Sequence, residues 1–190
     1  VQNRLEALLK NPETPFTSAS AGAGIYLNAV AYAAVSAECA PDKWEAALAA
    51  IEQVLRKALE HGFTDAEIDR IKKNYLAALD NAVKGSDTRD STDLARSIIR
   101  HVNADRVFQS PVQERDLYGP VAREATATAL HGAFKEAWAP DHRLVLATGN
   151  AEIEAEGADP ESRIRSVYEQ SRSTPVAAPA EAETVVFPYL

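Results

Sequence analysis

The stretch PDKWEAALAAIEQVLRKALEHGFTDAEIDRIKKNYLAALDNAV, residues 41–83, decides how the rest of the chain is read. Trp44, Leu48, Ile51, Leu55 and Leu59 recur at i, i+4, i+7, i+11 and i+15, one apolar stripe down a helix. Asp42, with Glu45 three residues on, carries a capping-box pattern for its start, and Gly62 stands where a helix ends. Thr64 and Glu67 repeat the capping pattern, and Ile68, Ile71, Tyr75 and Leu79 give a second helix its apolar face to about Val83. Two long amphipathic helices in succession need something to pack against, and the flanking sequence supplies it.

On the N-terminal side, Leu5, Leu8 and Leu9 lie at helical spacing within residues 1–10. Asn11-Pro12 stops that helix, because the residue before a proline avoids the helical region. Phe16–Ala21 reads as a short strand, Gly22-Ala23-Gly24 as a turn, and Ile25–Cys39 as a second strand, together a β-hairpin. On the C-terminal side, Gly85–Arg89 is a polar break and Leu94, Ile98 and Ile99 mark a shorter helix. Ser110-Pro111 supplies an N-cap and a first-turn proline for a helix to about Arg123. A further helix over 127–138 closes at Pro140, and Arg143–Thr148 (RLVLAT) has the composition of a strand. Asp159-Pro160 opens a last helix through Tyr168, after which residues 171–182 have linker composition and Phe187–Leu190 ends apolar. Helices outnumber strands, and the strands flank the helical block. That order predicts an α+β fold, a two-layer arrangement with helices on one face of a mainly antiparallel sheet.

Composition excludes several classes of function. A formal charge of −8 without a basic stripe opposes binding to phosphate backbones, so no nucleic-acid partner is expected. The longest nearly apolar run, Ala29–Val35, is far short of the ~20 residues of a membrane helix. Cys39 is alone, so neither an intramolecular disulfide nor a cysteine-rich zinc site can form, and it is expected to serve as a small hydrophobe. With no Met anywhere, the sequence is expected to begin inside a longer reading frame.

The candidate chemistry is sparse. His61, His101, His131 and His142 include no i, i+4 pair that would set two imidazoles on one helical face. Lys57–His61 (KALEH) matches the inverted zinc motif H-x-x-E-H at its Glu and second His, with Lys57 in the place of the first ligand. An ammonium has no lone pair to give a metal, so this run reads as a helix end with a histidine near the C-terminal dipole. His131 and His142 flank the Trp138–Pro140 corner but have no carboxylate at matching spacing, and Ser18 and Ser20 lack a nucleophile-elbow context. No catalytic residue and no metal ligand is expected in this chain.

The order of segments carries a resemblance. NRLEALLKNPETPF (Asn3–Phe16), the helix pair joined at GFTDAEIDRIKKNYLAALDNAV (Gly62–Val83) with Glu67 and Lys72, and AFKEAWAPDHRLVLATGN (Ala133–Asn150) are together similar to a non-catalytic domain of the M16, or insulinase/pitrilysin, zinc metallopeptidases. The resemblance covers residues 1–150, read as one such domain lacking its first strands, with 151–190 as an exit helix and linker toward a following domain. It implies the LuxS/MPP-like metallohydrolase fold and a parent built of several such domains. One of these would hold H-x-x-E-H and Zn2+; here the equivalent helix, QNRLEALLK, has no histidine. The chain would then serve as scaffold and chamber wall, with the catalytic domain and a peptide substrate as partners, and with a lean toward the bacterial periplasm or cell envelope. Some members place an Arg and, seven residues on, a Tyr against the peptide. The nearest counterparts here are Lys10 and Phe16, where Lys lacks the guanidinium fork and Phe the hydroxyl, so core or surface roles are favoured over substrate binding.

Two other readings stay open: the same fold used only for assembly, which a degenerate upstream helix would support, and an unrelated helical binding module, which the absence of a sheet would support. A domain lacking its first strands should leave a sheet edge bare, covered by self-association as a homo-oligomer or by the C-terminal tail.

Overall fold

In the computed structural model, residues 1–139, 142–151, 153 and 159–180 are described. The elements are α1 (Gln2–Leu8), β1 (Ser18–Tyr26), β2 (Val30–Glu38), α2 (Trp44–His61), α3 (Asp65–Lys84), α4 (Ser91–Asn103), α5 (Pro111–Glu124), α6 (Ala127–Trp138) and α7 (Pro160–Ser173). The chain divides into two compact units, residues 1–62 with 131–180, and residues 63–130. The fold is helix-rich with a small antiparallel sheet, two-stranded among the described residues.

In the first unit β1 and β2 pair antiparallel from Ser18↔Glu38 to Tyr26↔Val30. The turn does not fall at Gly22-Ala23-Gly24. Those residues lie inside β1, and the chain reverses at Leu27-Asn28-Ala29, with Leu27 and Asn28 at φ 51° and 53° and the Ala29 amide bonded to the Tyr26 carbonyl. Paired positive φ values match the twist of a hairpin, and Asn tolerates them well. Gly24 serves another purpose, because a side chain there would meet the Tyr32 ring of its cross-strand partner at 3.2–3.3 Å. The glycine is a seat for an aromatic ring, a use of strand glycine that local sequence cannot separate from a turn.

The alternation of the hairpin puts Ala19, Ala21, Val35 and Ala37 on one face, and this face packs on α1 and α2 around buried Leu5, Phe16 and Ala47. Small alanines let the helices approach closely. Cys39 packs against the same cluster as a free thiol.

Before α2, Pro41–Lys43 forms a 3-10 turn, and Lys43 at the N-cap makes no side-chain cap. The expected Asp42/Glu45 box therefore does not form; Glu45 is instead ion-paired to Arg163 at 2.6 Å. Gly62 closes α2 at φ 70°, as its position implied. Arg143–Thr148 forms no strand. Leu144 and Leu146 are 85% and 71% exposed, and the segment pairs with neither β1 nor β2. The final helix of the unit runs past Tyr168 to Ser173, capped by Asp159, so the segment after it begins at Thr174. The apolar end Phe187–Leu190 and the Pro140 corner lie outside the described residues.

The second unit follows the sequence closely. Thr64 and Glu67 form the capping box of α3, Ser110 and Gln113 that of α5, and Asp90 caps α4. Within it α3 packs on α5, and Lys72 donates to the Ala125 carbonyl at 2.8 Å, satisfying an end group of α5.

Candidate functional site

The most chemically elaborate place in the molecule is the contact of α2 with α7. Glu52 lies on α2 and is 8% exposed. Its carboxylate accepts from Arg56 Nε at 2.9 Å and from the Ser171 hydroxyl at 2.6 Å, Ser171 itself being buried. The Arg56 guanidinium continues outward, donating to the carbonyls of Ser171 (2.9 Å) and Thr174 (2.6 Å) where α7 ends. These are carbonyls that a helix terminus leaves without an internal partner, at the end where the dipole favours a cation. Burial works against the charge on Arg56, but hydrogen bonding and attraction from Glu52, reinforced by Glu60, prevail and raise its pKa. One turn on, His61 Nε2 lies 2.8 Å from the Val176 carbonyl and is the donor, since a carbonyl can only accept. Glu52, Arg56 and His61 thus hold α7 and residues 174–176 along one side of α2. The arrangement is a clasp: every polar group in it is spent on another part of the chain.

The same holds for the KALEH run. Lys57 offers no ligand, Glu60 is exposed, and His61 is committed to Val176. These residues do not fit a zinc ion, and among the described residues no three His, Cys, Asp or Glu groups converge to hold a metal. His131 bonds the Leu59 carbonyl at 2.9 Å and lays its ring against the Cα of Gly62, closing the end of α2. His101 Nδ1 bonds Ser97 and its ring meets Phe108 edge-on at 5.4 Å. His142 is exposed. Ser18 and Ser20 pair across the hairpin with Glu38 and Ser36.

Of the two residues weighed for substrate contact, Lys10 is exposed after α1, whereas Phe16 is 3% exposed inside the first unit's core. The structure does not make them a pair on one surface. An open cleft of about 400 Å3 in the second unit is lined by His101, Arg106, Val107, Gln109, Glu114 and Tyr118. It mixes charges of both signs and holds no nucleophile with a partnered base. What sequence reasoning missed is Glu52. Its only local signal is the i, i+4 pairing with Arg56, which looks the same on a solvated face.

Comparison with known proteins supplies what the chemistry does not. Residues 3–75 match the model of the peptidase M16 inactive domain. No curated protein matches the chain by sequence. Among solved structures, the first half of the periplasmic protease PqqL from Escherichia coli superposes with a TM-score of 0.71 at 17% identity over 94% of this chain and 38% of that one. The periplasmic protease PqqL from Escherichia coli gives 0.72 at 19% identity over 98% of this chain and 20% of its own. A protein described as a predicted insulinase family protease from Yersinia pestis gives 0.65 at 17% identity, covering 87% of this chain and 36% of that one. At these identities the likeness establishes the fold, and the chain spans well under two thirds of each relative.

Proposed function

We propose that this chain is a non-catalytic domain of the M16 peptidase family, a scaffold and chamber-wall domain of a zinc-dependent M16 metalloendopeptidase acting on peptides, a reading supported by the match of residues 3–75 to the peptidase M16 inactive domain. The observation that carries the reading is the match of residues 3–75 to the inactive type of domain, together with an opening helix, QNRLEALLK, that has no histidine to bind zinc. The residues present support walls rather than chemistry: buried polar groups are consumed in holding helices together, as Glu52 and Arg56 do.

In this reading the fold is of the LuxS/MPP-like metallohydrolase type, residues 1–150 form the domain, and 151–190 lead toward a following one. A separate catalytic domain of the same parent holds the Zn2+ and the peptide, and the protein works in the periplasm or cell envelope, as two of the solved relatives are described. Of the two residues considered for peptide contact, exposed Lys10 is the one able to meet a peptide carboxylate, while Phe16 is buried in the core with Leu5 and Ala47. The test is zinc content and peptide cleavage of residues 1–190 alone and of the parent polypeptide. The isolated chain should hold less than about 0.1 equivalent of zinc and cleave nothing, and deletion of these residues from the parent should abolish cleavage while its zinc remains. Stoichiometric zinc with cleavage by the isolated chain would overturn the reading.

A further inference from the structure

The hairpin changes character along its length. Near its base the outward face carries Ser18, Ser20, Ser36 and Glu38, bonded to one another across the strands. The inward face packs against the core cluster at Ala19, Ala21, Val35 and Ala37. Beyond these residues the hairpin is apolar on every side. Tyr26, Val30 and Tyr32 face outward, Ile25 lies on the inward face and Leu27 stands at the turn, and they are 63%, 59%, 53%, 60% and 79% exposed. No charged residue stands anywhere from Thr17 to Ala37. Leu27 adds a second anomaly. Its φ of 51° is a conformation that suits Gly, Asn or Asp, and the other non-glycine residues described there are Asn28 and Asp105. A leucine is thus held at the tip against both backbone strain and exposure to water, the combination that points from an outlier to a function.

We propose that the tip of the hairpin, residues 25–32, docks on a lipid bilayer of low surface charge, with Leu27 leading. The distribution of apolar groups selects a lipid surface over a protein. A partner protein or a neighbouring strand covers one face or one edge, and leaves the others polar. This tip is apolar on both faces and at its end, which fits a medium that surrounds it. Tyr26 and Tyr32 add the apolar ring and polar hydroxyl that suit the headgroup level of a bilayer. Charge selects the kind of lipid. The tip carries none, and the chain as a whole carries a formal −8 that an anionic surface repels, so a zwitterionic headgroup such as phosphatidylcholine is the occupant. The contact is shallow. From Ala23 to Leu27 the hairpin reaches about 13 Å, more than the depth of one headgroup layer. Deeper entry is opposed by the edge N–H and C=O groups of a two-stranded hairpin, which hydrocarbon cannot satisfy.

The experiment is flotation of the chain with phosphatidylcholine vesicles, with the Tm of each variant measured in parallel. The wild-type chain should float with the vesicles in proportion to lipid. Leu27→Asn should lower the partition coefficient about 10-fold, the effect of withdrawing one leucine side chain from an apolar medium. The same substitution should hold or raise the Tm, because Asn suits the positive φ of the turn, so the loss reads the tip and not unfolding. Ile99→Asn, which removes an exposed apolar side chain from α4, should leave the partition unchanged. No flotation of the wild-type chain overturns the proposal, as does an equal loss with Ile99→Asn. Tighter binding when one lipid in three is phosphatidylglycerol overturns it too, since charge would then be the attraction. So does a dimer that Leu27→Asn dissolves in place of vesicle binding (a second copy as occupant), or a longer polypeptide of the same reading frame that fails to float where this chain does (another part of that polypeptide as occupant). Flotation needs neither zinc nor cleavage, so its failure leaves the chamber-wall reading standing.

Discussion

Helices α2 and α4 both announce themselves in the sequence by an apolar stripe, yet their fates differ. Ala47, Leu55 and Ala58 of α2 are buried, and even its charged Glu52 is enclosed. In α4 nothing is buried, and Ile98, Ile99 and Val102 stand 40%, 57% and 69% exposed. Periodicity therefore reports which face of a helix is apolar and says nothing of whether the face is covered. The covering of α2 comes from α1 and the hairpin around Ala47 and, more than 100 positions away, from α7 at Glu52. For α4 no such cover lies among the described residues, and a patch of this kind on a single unit marks a surface fit for a neighbour.

The contrast is broken most sharply by attacking the polar clasp. Arg56→Ala leaves Glu52 buried with one hydrogen-bond donor and frees the end of α7, so a loss of about 3–4 kcal/mol is expected by denaturant titration. Pairing Glu52→Leu with Arg56→Met should recover most of it, because the cost is an uncompensated charge and not a lost pair. If the single substitution costs under about 1 kcal/mol, the clasp is a surface feature and the contrast fails. Next in size, Leu55→Ala should cost about 3 kcal/mol and Ile99→Ala less than about 1, since only the first opens a cavity. Equal costs would mean that α4 is covered in solution.

How much of this was legible follows from where each signal lives. Caps and breaks are local hydrogen-bond chemistry, so Thr64/Glu67, Ser110-Pro111 and Gly62 were readable directly. Asp42 failed because the chain enters α2 through a 3-10 turn and Glu45 is claimed by Arg163 from α7, a tertiary competitor that no local pattern reveals. Gly22-Ala23-Gly24 misled because glycine serves turns and ring seats alike, and only the cross-strand register brings Tyr32 onto Gly24. Arg143–Thr148 has the composition of a strand but pairs with neither β1 nor β2; propensity records fitness for a sheet and does not by itself make the pairing. The resemblance to a non-catalytic M16 domain lay in the order of segments, and residues 3–75 match the model of the peptidase M16 inactive domain. Glu52 was invisible, as a buried ion pair and a solvated one share the same spacing.

A smaller effect tests the end of α2. At Gly62 an added Cβ would lie 2.9 Å from the His131 ring, and φ of 70° is costly for any residue with a side chain. Gly62→Ala should therefore lose about 2 kcal/mol, and adding His131→Ala should relieve the clash but not the backbone strain. The double substitution should remain below wild type also because the Leu59 carbonyl loses its donor.

The smallest expected effect returns to α4 and α7, which share an aspartate cap but not a cover. The Asp90 carboxyl is held below its ordinary range mainly by the Thr92 and then the Asp93 backbone amides, and Asp159 by the backbone and hydroxyl of Ser162. A lowered folded pKa means that the capping contribution is complete above the unfolded value, about 3.9, and is lost as pH falls through the folded one. Acid should therefore fray both helix starts, with Asp90→Ala and Asp159→Ala removing the pH dependence of each. The difference lies in how far the fraying spreads. Helix α7 is bonded to α2 through Arg163, Ser171 and the carbonyls that Arg56 caps, so its exchange should quicken over the first turn only. Helix α4, with no buried residue, has nothing to halt the opening, and its exchange below about pH 4 should quicken along its length. Equal spread in the two would show that the cap, rather than the cover, sets the stability of these helices.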